Sequence, residues 1–536
     1  MKAHSRRSRL MMSVTALTVA GALALSACGS DSDSGSTGKK PLVISLDSSV
    51  DVIDPQQWRT PASMVTSGSV VEQVIEQTYS ESGAARIGGG EFTNALSEKH
   101  EYSADGKTLT ITLREGLKFA DGKPLTAEDV VWSYQRGLEM TQAYTKVLYP
   151  MVGLTPESFT APDARTVQVT ADFGTPLLDK MLAMQPFGVY SKATGEEHAT
   201  PDDPWAADWF RENSNSSGPY KVAAYDKTTS IQLAPNTEYY DQDRIANGGV
   251  TIQFVSDPAQ RALLLRNGEI DLAGGLPLDQ VAELAKTDGL SVVSEASNRL
   301  EYLGLNTAKA PFDDKRVRQA IALAMPYQTF VDEVLYGYGD ASSGIVSSNM
   351  ETHSDSVTDA FKTDVAAAKQ LLGEAGVSDL STTLSFKQSS TVEARAAVYI
   401  QSALKEIGID VQIKPLPDAE FTQRTNARDL EMYLNNFLAW GADPFYQMAS
   451  LAGSGAGTNF NNYANPALDE LLQKGFRTQD QADRDAVSAE AQDLLVDEMP
   501  LVPLWNPKWT YVVRDGVHGL TKDNTEQLRL QYLTKD

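Results

Sequence analysis

Sulfur and imidazole chemistry are almost missing from this sequence. Its 536 residues contain one cysteine and five histidines. A single thiol excludes an intramolecular disulfide framework, a Cys-rich zinc site and a Cys-ligated cluster. His4, His100, His198, His353 and His518 are scattered without an H-x-x-x-H pair, so their spacing offers no metal site. Cations are scarce as well: 46 Lys and Arg stand against 71 Asp and Glu, a net charge of −25. That balance argues against a general nucleic-acid binder, because phosphate demands a cationic face. Catalytic templates are absent too. No G-x-S-x-G elbow, H-E-x-x-H pair or Walker loop occurs. Gly88-Gly89-Gly90 and Gly453-Ser454-Gly455 lack those spacings and read as loops. The expectation is a protein without metal or cofactor that is not an enzyme.

What is present is a soluble, globular composition, 41% hydrophobic and 22% charged. At about 150 residues per unit, the length predicts three or four structural units. The first of its segments is an address. Lys2, Arg6, Arg7 and Arg9 precede the apolar stretch Met11–Ala27, which is short for a membrane span. Leu25-Ser26-Ala27-Cys28 then resembles the lipobox of bacterial lipoproteins. The resemblance implies cleavage before Cys28 and acylation of its thiol. The chain would then be exported and anchored by lipid to the outer face of the bacterial cytoplasmic membrane. Ser5-Arg6-Arg7 leaves the export route open between the general and twin-arginine systems. Residues 28–40, rich in Gly, Ser and Asp, read as a flexible tether. Removing 1–27 deletes four cations and no anion, leaving 42 basic against 71 acidic residues, or −29.

Beyond the tether, Leu42–Leu46 reads as a first strand and 62–79 as a helix carrying Val70, Val71, Val74 and Ile75. Lys107–Leu113 and Arg165–Thr170 alternate as strands, with a helix from a Thr126 cap to about Leu138 between them. Tyr220–Ala224, Ser230–Leu233 and Thr251–Val255 form a β-rich stretch, followed by a helix capped by Asp257. From about Leu300 helices and strands alternate. Helices over 364–375 and 391–407 are closed by Gly376 and Gly408, and Pro326 breaks the helix 314–325. Two α/β regions around a β-rich stretch suit a two-lobed protein with a cleft.

Several stretches then match one family in order. Ile53-Asp54-Pro55, the run Leu109 to Val130 containing Arg114-Glu115-Gly116-Leu117-Lys118-Phe119-Ala120-Asp121-Gly122, and Ser217-Gly218-Pro219-Tyr220 belong to it. So do Asn267-Gly268-Glu269-Ile270-Asp271, Pro311-Phe312-Asp313-Asp314-Lys315-Arg316-Val317-Arg318-Gln319-Ala320, and Ala368-Lys369 through Gly376. From about 41 to 505 the chain resembles the dipeptide, oligopeptide and nickel-binding lipoproteins of ABC importers, solute-binding protein family 5. The resemblance implies an α/β, two-lobed, periplasmic-binding-protein-like fold of type II, in its large three-domain subclass. Domain I would comprise 41–60, 215–298 and 499–536. Domain II would be the insert 61–214, and domain III the second lobe 299–498. Crossings near 298 and 499 would form the hinge. Met325-Pro326-Tyr327 departs from the family's Asp-Arg at that point.

The resemblance also nominates a site. Trp440-Gly441-Ala442-Asp443 resembles the family's G-W-x-x-D, whose aspartate grips a peptide's ammonium group in peptide-binding members. A buried ammonium needs a paired carboxylate, and a Trp supplies apolar area. Asp443-Pro444 alternatively starts a turn, leaving Asp443 structural and Trp440 core. Tyr144, Phe421, Arg424, Arg428 and Trp505 are further candidates: an arginine to pair a ligand carboxylate, or a surface residue; Trp505 in the cleft or in the core. The expected role is a monomeric receptor that takes a di- or oligopeptide and hands it to permease subunits with separate ATPase subunits. An oligosaccharide, opine or metal chelate stays open as ligand. A secreted glycoside hydrolase with two converging carboxylates is the distant alternative.

Overall fold

The computed structural model describes residues 38–57, 60–77, 92–140, 148–348, 350–439, 443–523 and 525–536. The expected signal segment 1–27, Cys28, Gly88–Gly90, Tyr144, Trp440 and Gly441 therefore lie outside the described residues. The fold is that of the unit Lys39–Asp536.

Three sheets organise it. The first has seven strands in the order Leu290–Glu295, Trp509–Arg514, Leu272–Ala273, Leu42–Leu46, Val250–Phe254, Ser230–Pro235 and Tyr220–Asp226. Leu42–Leu46 runs parallel to the strands on both sides of it, with Leu42 opposite Val250 and Ile44 opposite Leu272. Its near-continuous apolar sequence suits a strand covered on both faces. The second sheet lies within the insert. Thr108–Leu113 sits between Ser97–Tyr102 and Thr166–Thr170, burying Leu109, Ile111 and Leu113 while the threonines between them stay half-buried. The third sheet orders Gly339–Ala341, Leu501–Pro507, Arg299–Leu305, Met432–Leu438, Leu380–Lys387 and Ile409–Leu416. Leu380–Lys387, helix Thr391–Glu406 and Ile409–Leu416 form the expected β-α-β unit, with parallel strands. Gly376 and Gly408, at φ +69° and +88°, follow the two helix ends predicted to stop there.

Two expectations shift. Helix Pro61–Val70 stops before Val74 and Ile75, and Ile75–Gln77 pairs instead with Phe92–Asn94. Helical spacing and a short strand cannot be told apart over so few residues. The second crossing, expected near 499, also moves. Leu501–Pro507 pairs with Arg299–Leu305 in the third sheet, so the chain returns to the first sheet at Lys508.

The forward crossing, Ala296–Asn298, is held from the C-terminal loop. Asn298 N donates to Glu526 Oε1 at 2.7 Å, and Trp509 Nε1 donates to the Glu526 carbonyl at 3.0 Å. Lys522 Nζ donates to the Ala296 carbonyl. Asn298 Nδ2 reaches the Ala439 carbonyl at 2.6 Å.

The insert is fastened to the first lobe by a buried ion pair. Arg136, on helix Ala127–Glu139, bonds Asp54 Oδ2 at 2.6 Å, with both side chains wholly buried. Gln57 and Tyr190 also donate to that carboxylate, and Arg136 reaches Gln56 Oε1 at 2.6 Å. Burial opposes ionisation of Asp54, but Arg136 together with the Tyr190 and Gln57 hydrogen bonds outweighs it and holds the carboxyl below the usual range. Removing one partner strands a buried charge. Arg136→Met should cost about 3–5 kcal/mol. Adding Asp54→Asn should recover much of that loss, as measured by urea unfolding.

Candidate functional site

The site begins at the end of strand Met432–Leu438. Helix Pro444–Ala452 starts a few residues later, with Asp443 at its cap and Pro444 in its first turn. Asp443 Oδ1 accepts from the Phe445 and Tyr446 amides at 3.0 and 3.2 Å. Oδ2 takes a 2.5 Å bond from Arg484, which projects from helix Gln481–Glu498 and lies over the Phe445 ring. Burial would keep Asp443 neutral, yet Arg484, with Lys180 behind it, holds its carboxyl below the usual range. Its two oxygens are thus engaged inside the second lobe.

The insert faces this helix. Leu148, Met151, Leu177, Lys180, Met181 and Met184 oppose Asp443, Tyr446 and Phe476 across an apolar void of about 40 Å³. That void adjoins a larger cavity of about 530 Å³. Its walls are Pro150, Met151 and Phe173 from the insert, and Tyr446, the loop Gly453–Thr458 and helix Pro466–Arg477 from the second lobe. The size suits a small-molecule ligand.

Among the residues nominated from sequence, Asp443 lines the smaller void and not the larger cavity. Arg428 touches its edge indirectly, donating to the Ala456 carbonyl of the loop at 2.9 Å. Arg424 pairs with Asp429 at 3.0 Å on the surface. Phe421 is buried against Tyr433, with ring centroids 6.5 Å apart. Trp505 is wholly buried 5.1 Å from Phe330, among the residues packed on the other face of the third sheet. The cleft therefore does not gather Phe421, Arg424 and Trp505 around Asp443. Lys180, Met181, Met184, Tyr446 and Phe476 carry no motif. The one sequence signal is Met181 and Met184 at helical spacing.

Carboxylates also meet away from the cleft. Along Arg299–Leu305, Leu300 and Tyr302 join the core shared with the insert, whereas Leu303 and Leu305 join the opposite core. Alternation puts Glu301 on that opposite face. Its Oε2 has no hydrogen-bond partner, and burial, with Glu393 nearby, raises its pKa well above 4.5. Burial likewise pushes Glu393 up to about 7. Among the described residues, no group of three or more His, Cys, Asp or Glu could hold a metal, and no helix is long and apolar enough to cross a membrane.

Comparison with known proteins places this architecture. The profile of the Bacterial extracellular solute-binding proteins, family 5 Middle, matches residues 91–459, and the chain belongs to that family. It is therefore a binding protein and not an enzyme. A relative is the Probable D,D-dipeptide-binding periplasmic protein DdpA of Escherichia coli, 28% identical over 87% of each chain. Another is the Oligopeptide-binding protein OppA of Bacillus subtilis, 25% identical over 96% of this chain and 98% of its own. The substrate-binding protein CtaP of Listeria monocytogenes superposes with a TM-score of 0.82 at 25% identity, over 93% of this chain and 99% of its own. The DppA protein of Helicobacter pylori, solved with the peptide STSA, gives 0.79 at 24% identity, over 93% of this chain and 99% of its own.

The raised Glu393 pKa fixes a pH dependence. The folded state holds this proton more tightly than the unfolded chain, whose carboxyl titrates near 4.5. Its contribution to stability is full below about 4.5 and falls as pH rises through about 7. Glu393→Gln should flatten that part of the profile, measured by thermal unfolding across the same range.

Proposed function

We propose that this chain is the exported, lipid-anchored receptor of an ABC importer, and that it captures a di- or oligopeptide between its lobes. The observation that carries the reading is the cavity of about 530 Å³ between an insert rooted in one lobe and helices of the other. The lobes join through two adjacent crossings, at Ala296–Asn298 and Lys508. Rotation about such a pair of strands would open and close the cavity and bury the solute. The closed form would then dock on a permease served by separate ATPase subunits. Relatives named for dipeptides and oligopeptides support the ligand class.

Asp443 takes a positioning role in this proposal. Arg484 and two helix amides already compensate its charge, so it fixes the start of helix Pro444–Ala452 beside the cleft. Trp440 and Gly441 precede it and remain proposed wall residues, as does Tyr144 on the insert.

Titration calorimetry against a peptide library and a sugar panel tests the class. Peptide binding is expected, and sugar binding without a peptide response overturns it. N-acetylation of a bound peptide should change Kd by less than about tenfold if Asp443 only positions. A loss equivalent to about 2–5 kcal/mol would instead reveal a broken buried charge pair. For the anchor, mass spectrometry of membrane-extracted protein should find a chain beginning at diacylglyceryl-Cys28. Cys28→Ser should release the protein from membranes.

A further inference from the structure

We infer that the ion pair between Lys180 and Glu351 is a clasp that sets how much of the protein is closed before a ligand arrives. This rests on the reading of two lobes that part and close, and it names the contact that controls them. The Arg136–Asp54 pair and a shared core of Trp132, Tyr190 and Phe210 with Ile53 and Tyr220 root the insert in the first lobe, so everything it touches in the second must separate on opening. Lys180 Nζ lies 3.0 Å from Glu351 Oε2, and among the described residues this is the ion pair that joins insert to second lobe. Lys180 also lies within the electrostatic reach of Asp443, so its ammonium faces two carboxylates of the opposite lobe.

Three features suit this pair to reversible work. The side chains are 15% and 26% exposed. A fully buried pair would cost its desolvation on every closing, and a fully exposed one would be screened to little effect. The neighbouring polar contacts are weak, and the rest of the contact is an apolar core shared by insert and second lobe. Gln479 Nε2 donates to the Asp105 carbonyl at 3.1 Å, and the Arg477 guanidinium lies 4.7 Å from the Phe173 ring centre. The apolar contact beside the pair is methionine-rich and leaves a void of about 40 Å³, looser than a folded core. Methionines adapt to a moving partner, but they specify its register poorly. The charge pair supplies that register.

The sequence makes the test clean, because Cys28 is its one cysteine. In a Cys28→Ser background, Glu157→Cys on the insert and Ser402→Cys on the second lobe accept a dye pair for single-molecule energy transfer. Without ligand, Lys180→Glu and Glu351→Lys should each lower the ratio of closed to open molecules about two- to fivefold, the range for a partly exposed pair. The exchanged pair, Lys180→Glu with Glu351→Lys, should recover part of the loss, since Asp443 stays negative opposite position 180. Unchanged single variants, or an exchange no better than either single variant, overturn the clasp. Should a reversed charge prevent folding, judged by thermal unfolding, Lys180→Met and Glu351→Gln replace it with the same expected direction. Because no ligand is present, a protein that binds no peptide would refute the ligand class and leave this result intact.

Discussion

The two backbone crossings between the first and third sheets are the constraint on which the rest depends. Leu290–Glu295 and Arg299–Leu305 are nearly one continuous run, as are Leu501–Pro507 and Trp509–Arg514. Each run leaves one sheet and enters the other within a few residues, so the lobes share two short links. The C-terminal loop grips one link through Glu526 and Lys522, and Trp509 of the other link donates to the Glu526 carbonyl. Asn298 connects that grip to Ala439, at the approach to the cleft. Motion between the lobes is thereby confined to a narrow strip of backbone, and the cavity lies to the side of that strip where the insert overhangs.

Buried charge does the fastening elsewhere. Asp54 with Arg136 and Asp443 with Arg484 each join segments far apart in the chain. A third network links Glu72 and Glu76 of the insert to Arg244 and Arg529 of the first lobe. Such pairs contribute little net stability against apolar replacements, but an unsatisfied partner is costly. They penalise wrong docking of the insert more than they reward right docking. In a protein so acidic overall, the arginines used this way are inside, which leaves the surface strongly anionic and self-repelling.

Local grammar was readable from the sequence wherever period and punctuation agreed. Thr108–Leu113, the Asp257 cap and the helices ended by Gly376 and Gly408 emerged from alternation, capping and left-handed glycine. Val74 and Ile75 misled because two apolar residues satisfy either period. The return crossing misled because Leu501–Leu504 is apolar on both faces and does not announce which sheet it joins. At the site, Asp443-Pro444 was legible as the start of a turn, but the helix it caps and its partner Arg484 were not, since no spacing rule links residues on different helices. Lys180 and Glu351 were invisible for the same reason. Their meaning exists only after the insert has docked.

The strand order of the first sheet has a consequence for biogenesis. Leu42–Leu46, close to the start of the chain, waits for Val250–Phe254 and Leu272–Ala273 as neighbours. Trp509–Arg514, close to the end, fills the slot between Leu272–Ala273 and Leu290–Glu295. The sheet is therefore incomplete until the last residues have been delivered, and loop closure over hundreds of residues is slow. However the chain is delivered, the first lobe becomes solid only with its final strand in hand.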